Sequence, residues 1–225
     1  KLCINQDTRY VKYATLASSM IKNLRSYILN HPFAVTDIPA AVEYVVDSDV
    51  PAIVAWSSAA PIDAINKFLP PYNRNSLVLQ YAMRSIESFD VHLPFFYVPQ
   101  IVQTMRHDDL GYIRRFILET ANVSQLFAHQ IIWNMAANSF KDEDSTIPDS
   151  IKPTLDEIRE TMIKTFSDSD RSYFEKEFSF FGEVTGISGK LKPFIKKSKP
   201  EKKEKIDEEM SKIKVEEGVY LPSNP

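Results

Sequence analysis

The chain has 225 residues, 44% hydrophobic and 12% aromatic, enough for one large packed domain or a domain plus a fragment. Its net charge of −3 argues neither for nor against nucleic acid, and no nucleic-acid partner is expected. The single cysteine, Cys3, excludes an intrachain disulfide and a cysteine-rich metal site, and no apolar run is long enough for a membrane-spanning helix.

Only 5 glycines but 14 prolines punctuate segments of helical length, which suits short helices joined by tight corners. From Thr8 to Leu29, Tyr13, Leu16, Met20, Leu24, Tyr27 and Ile28 recur at three- and four-residue spacing on one face. His31-Pro32 ends this helix, because the residue before proline disfavours the helical region. A short helix is expected from Asp37 to Val46, with Pro39 in its first turn. Two more fall within Val50–Leu69: one around Ile53, Val54 and Trp56, the next opened by Pro61 and carrying Ile62, Ile65 and Leu69. Leu77, Tyr81, Ile86 and Phe89 predict a helix over about Ser76–Ser88. Tyr97 to Met135 reads as consecutive amphipathic helices with polar breaks, and Lys141–Pro148 as an exposed loop. Helix resumes over Ile151–Phe181, with Asp168 or Ser169 as the cap of its second part.

The expected fold class is all-α: an α-solenoid-like or helical-repeat array of about ten short helices, followed by a flexible Lys-rich C-terminal linker. Composition changes at Gly182. Three of the five glycines fall in GEVTGISGKLK, and Lys190–Lys214 holds ten lysines against five acidic residues. Such a stretch reads as a Gly-rich hinge and a mobile linker. EGVYLPSNP, from Glu217 to Pro225, reads as an extended entry into a further domain. The chain starts at Lys1 without Met or a signal-peptide pattern, as a piece of a longer polypeptide would.

Candidate chemistry is sparse. Arg106-His107-Asp108 sits at a helix end, where Asp108 or Asp109 is expected to cap the next helix. Phe180-Phe181-Gly182 lacks the aspartate of a metal-holding Asp-Phe-Gly. Gly182–Lys190 fails the P-loop pattern, with Val184 where glycine is needed and Leu191 after the lysine. His31, His92, His107 and His129 have no zinc spacing. His129 is expected to be a semi-buried imidazole hydrogen-bonded between helices, with a backbone carbonyl as the suggested acceptor, and Trp133 to be core or inter-helix packing. Arg114-Arg115 reads as a solvated charge pair, whereas the basic Lys190–Lys214 stretch suits contact with an anionic membrane. No catalytic, cofactor-binding or metal-ligating residue is assigned.

One order of residues is not generic. Pro99-Gln100-Ile101-Val102-Gln103, then Phe116-Ile117-Leu118, then His129 with Ile132-Trp133, resembles the accessory helical domain of the phosphatidylinositol kinases. Val78–Phe89 and Glu43–Tyr72 are similar to its other helices. The last residues, Gly218 and Tyr220–Pro225, resemble the strand that opens the kinase N-lobe of the type III alpha phosphatidylinositol 4-kinases. The resemblance implies four parts: residues 1–35 as the end of an upstream helical solenoid, 36–182 as the accessory domain, 183–214 as a linker, and 215–225 as the first kinase strand. It implies a parent enzyme that phosphorylates phosphatidylinositol at the 4-position, with ATP and Mg²⁺ bound in a downstream kinase domain and not here. It further implies partners: that kinase domain, helical-repeat scaffold subunits and a lipid-anchored membrane protein. The implied location is cytoplasmic, peripheral at the inner face of the plasma membrane. The segment itself would brace the kinase and be inactive alone. The rival reading is a non-enzymatic helical-repeat interaction module.

Overall fold

Prolines set the local geometry of the first third of the chain. In the computed structural model, which describes residues 18–142 and 145–217, the first helix, α1, occupies 18–30. Three 3-10 turns follow, Pro32–Val35, Pro39–Tyr44 and Pro51–Ala55, each opened by a proline and none closed by a capping side chain. The two expected α-helices here are therefore tighter and shorter than predicted. Segments of four to six residues are of the length at which 3-10 geometry is common. Helix α2 (Pro61–Asn66) and helix α3 (Ser76–Glu87) come next.

Helix α3 starts where it does because of Asn75. Its side chain accepts from the backbone N–H groups of Leu77 and Val78, and its amide donates to the carbonyls of Val46 and Ser48. The far end of α3 ties down the 3-10 region. Tyr81 donates to Ser57 O at 2.8 Å, Arg84 donates to Trp56 O, and Ser85 accepts from Ala59 N. Trp56 is fully buried and donates its indole N–H to Pro32 O.

Helix α4 (His92–Phe95) and helix α5 (Val98–Thr104) lead into helix α6 (Tyr112–Val123) and helix α7 (Gln125–Ala137). A single residue, Ser124, both ends α6 and caps α7, accepting from Phe127 N. Helix α8 (Lys152–Thr165) packs on α6 and α7, and α5 packs on α7 and α2. One contiguous core results, centred on Ile86, Ile101, Ile113, Ile117, Phe127 and Ile131. Within the described residues the architecture is all-α, as expected, apart from an isolated bridge between Phe140 and Pro148 that closes the loop after α7.

Three expectations are corrected. Of the stripe predicted along the first helix, Ile28 is buried but Met20, Leu24 and Tyr27 are exposed; Tyr13 and Leu16 lie outside the described residues. The cap of helix α9 (Asp168–Lys190) is Ser167, which accepts from Asp170 N, with Asp168 and Asp170 in the first turn where the helix dipole favours them. The expected hinge and linker are helical. Helix α9 runs through Gly182, Gly186 and Gly189, and helix α10 occupies Lys199–Lys212. Helix α10 holds because its charges are spaced for pairing: Lys205 and Lys212 both meet Glu208 and Glu209 one turn away. The Glu201 carboxylate closes its start on Ser198. Residues 218–225, expected to form an entry strand, lie outside the described part.

Candidate functional site

The polar residues singled out in the sequence sort into braces between helices and one buried pair. Asp108 lies before Gly111, which takes φ 73 at the head of α6. From there its carboxylate accepts from Arg114 N at 2.8 Å, as a cap should. Burial pushes the Asp108 carboxyl above its ordinary value, against the pull of the α6 backbone N–H groups. Arg106 turns away from Asp108 and forks onto Asp149 at 2.7 and 3.2 Å, joining the end of α5 to the start of α8. The Arg106 guanidinium holds the Asp149 carboxyl far below the usual range.

Arg114 and Arg115 are not simply solvated. Arg114 reaches Glu157 on α8 at 2.7 Å and Arg115 reaches Glu87 on α3 at 2.6 Å, so neighbouring residues of α6 clamp two different helices. Lys67, buried, meets Glu43, and Tyr72 donates to the same carboxylate. Burial pushes the Glu43 carboxyl up, but these two hydrogen bonds outweigh it and hold it below its ordinary value. Sequence reasoning missed this trio. Its members are separated by up to 29 residues and share no motif.

His129 and Glu177 form the buried pair. His129 Nδ1 lies 2.9 Å from Glu177 Oε2, and Gln125 donates to the other carboxylate oxygen at 3.1 Å. An ionised carboxylate only accepts, so opposite one it is the tautomer with a proton on Nδ1 that makes this bond. The expectation of an imidazole bonded between helices holds, but its partner is a side-chain carboxylate on α9 and not a backbone carbonyl. Trp133, one turn along α7, is exposed and not core, but it packs between helices with its ring 5.6 Å from Phe178 and 6.4 Å from Phe181. Those phenylalanines also flank His129, at 5.0 and 5.4 Å. Beside the pair opens a cavity of about 290 Å³, lined by Asn122, Ser124, Phe166 and Asp170 among others.

The His31 ring lies 5.0 Å from the Tyr27 ring, tilted against it, and His92 is exposed next to Asp90. The structure does not bring the four histidines together, and among the described residues no group of three or more potential ligands converges as a metal site would. Gly182–Lys190 is helix, not a phosphate-cradling loop. What the site residues do chemically is hold carboxylates and cations in fixed pairs across helix boundaries.

Comparison with known proteins gives the family. The family model described as "Phosphoinositide 3-kinase family, accessory domain (PIK domain)" matches residues 11–175. The match takes in residues 11–35 as well as most of 36–182. Phosphatidylinositol 4-kinase STT4 of Saccharomyces cerevisiae is 49% identical over 97% of this chain, which covers 12% of that protein. Phosphatidylinositol 4-kinase stt4 of Schizosaccharomyces pombe is 52% identical over 89% of the chain, 11% of that protein. Phosphatidylinositol 4-kinase alpha 1 of Arabidopsis thaliana is 26% identical over 74% of the chain, 9% of that protein. The chain thus spans only about a tenth of the length of these relatives. With residues 11–175 matched, this chain belongs to the phosphoinositide 3-kinase family as an accessory (PIK) domain.

Proposed function

We propose that this chain is the bracing helical domain of a lipid kinase that transfers the γ-phosphate of ATP to the 4-position of phosphatidylinositol. The observation that carries the reading is the 49% identity to a phosphatidylinositol 4-kinase along 97% of the chain. The structure adds a physical role. Ion pairs from α6 to α3 and α8, and from the end of α5 to α8, hold a stack of helices in one geometry. A packed stack of this kind can carry a catalytic domain at a fixed angle. ATP and Mg²⁺ would bind in that catalytic domain. Helical-repeat scaffold subunits and a lipid-anchored protein would recruit the parent enzyme to the inner face of the plasma membrane.

The test is a chimera. This chain replaces the matching residues of the Saccharomyces cerevisiae relative, and phosphatidylinositol 4-phosphate formation by the purified chimera is measured. Activity within a few-fold of the unaltered kinase is expected. A folded chimera without phosphatidylinositol 4-phosphate output overturns the reading.

A further inference from the structure

The lysines of the C-terminal segment are divided between two faces, and the division tells them apart. Glu209 is buried, and its carboxylate gathers Lys190 from α9 at 3.1 Å, Lys205 at 3.0 Å and Lys212 at 2.7 Å. Lys190 ties α9 to α10, Lys205 and Lys212 pair with Glu209 within α10, and Lys205 also lies over the Phe194 ring. Lys199, Lys202 and Lys203 have no carboxylate partner among the described residues, and Lys196 stands exposed in the corner before α10.

Two exposed apolar residues share that face. At 3.6 residues per turn, Lys199, Lys202, Lys203, Ile206 and Met210 fall within one arc of about 100°. Glu201, Glu204 and Glu208 lie on the opposite side of the helix and Asp207 on one flank, while the buried Glu209 sits beside Lys202 at the other edge of the arc. Ile206 is 38% exposed, Met210 is 48% exposed, and Ile195 in the corner is 66% exposed. Solvated charge runs do not need large apolar side chains set among their cations. A helix that lies on a lipid surface does, since lysines reach anionic head groups while apolar groups enter the acyl boundary.

We propose that the face formed by Lys199, Lys202, Lys203, Ile206 and Met210, with Ile195 and Lys196 in the adjoining corner, docks on an anionic lipid surface. The face is a peripheral contact, set by charge and shallow apolar insertion. It goes beyond the bracing role and needs no kinase activity.

The test is co-sedimentation of the 225-residue chain with vesicles of phosphatidylcholine alone and of phosphatidylcholine with phosphatidylserine. Binding to the second but not the first is expected, and it should weaken with added salt. The variant K199Q/K202Q/K203Q should lose on the order of 100-fold in partitioning, at the gain per cation that basic side chains show near such surfaces. I206S/M210S should weaken binding by several fold at unchanged charge, and K22Q/K141Q/K164Q should bind as the unaltered chain does. Equal binding to both vesicle types, or equal losses in the two triple variants, overturns the proposal. So does binding to polyglutamate without binding to anionic vesicles, which would mark an acidic protein partner. All substitutions are at surface positions, and far-UV circular dichroism confirms that each variant stays helical. The assay contains no ATP, so its failure leaves the lipid-kinase reading standing.

Discussion

Gly111 and His129 show how much single residues contribute here. Gly111 sits at φ 73, and a Cβ added there would meet nothing within 4 Å. Backbone strain is therefore the only cost of a side chain, and Gly111→Ala is expected to lose about 1–2 kcal/mol in urea unfolding. His129 is different, because removing it leaves the buried Glu177 with only Gln125 as donor. Loss of a hydrogen bond to a charged group, plus ring contacts with Phe178 and Phe181, predicts that His129→Ala costs about 2–4 kcal/mol. A loss under ~0.5 kcal/mol would show that the pair adds nothing to the α7–α9 contact. His129 was legible in the sequence as an inter-helix histidine. Glu177 was not, because it reads as one more acidic residue in an exposed amphipathic helix until the fold places it 2.9 Å from the imidazole.

Helices α9 and α10 carry the main lesson about elements. Three glycines in eight residues read as a hinge, and the lysine run reads as a linker. Both readings weigh composition and ignore spacing. Gly182 and Gly186 lie exposed within α9, and a Cβ at either meets nothing within 4 Å. Gly182→Ala and Gly186→Ala should each stabilise the chain by about 0.5–1 kcal/mol. In a hinge they would be neutral or harmful, so thermal unfolding of the two variants separates the two cases. Helix α10 depends on Glu209, whose carboxyl is pulled from the ordinary glutamate value of 4.5 to about 2, chiefly by the hydrogen bond from Lys212, then by Lys205 and Lys190. A depressed carboxyl stabilises the fold above its unfolded value, and that contribution is lost as pH falls through the folded value. Amide exchange in α10 should therefore quicken as pH drops from about 5 toward 2, after correction for intrinsic rates. Amides in α3 and α7, held by the apolar core, should change later. Glu209→Gln should bring the loss of α10 protection to neutral pH.

The molecule as a whole is a stack of helices cross-tied by ion pairs at its edges. Among the described residues Arg106, Arg114 and Arg115 each pair with a carboxylate on another element. As an accessory domain that spans about a tenth of its relatives, the purified 225-residue chain is expected to show no ATP-dependent phosphorylation of phosphatidylinositol vesicles. Radiolabelled phosphate transfer above a buffer control would contradict that expectation.

The sequence by itself determined the all-α class, helices α2, α3 and α8, the run of helices over 97–135 and the family, but not α4. Apolar spacing reports the buried face of α3 and α8, though not of α1, and proline marks the starts of α2, α5 and α8. Only the tertiary structure decided the rest: that the segments opened by Pro32, Pro39 and Pro51 take 3-10 geometry, that Arg114 and Arg115 clamp separate helices, and that Glu177 meets His129. It also decided that the glycine- and lysine-rich segment folds back as helix. Each of these rests on a contact between residues distant in the chain or on a charge neutralised by its neighbour. Such free energies belong to pairs of residues, and no single stretch of sequence contains them.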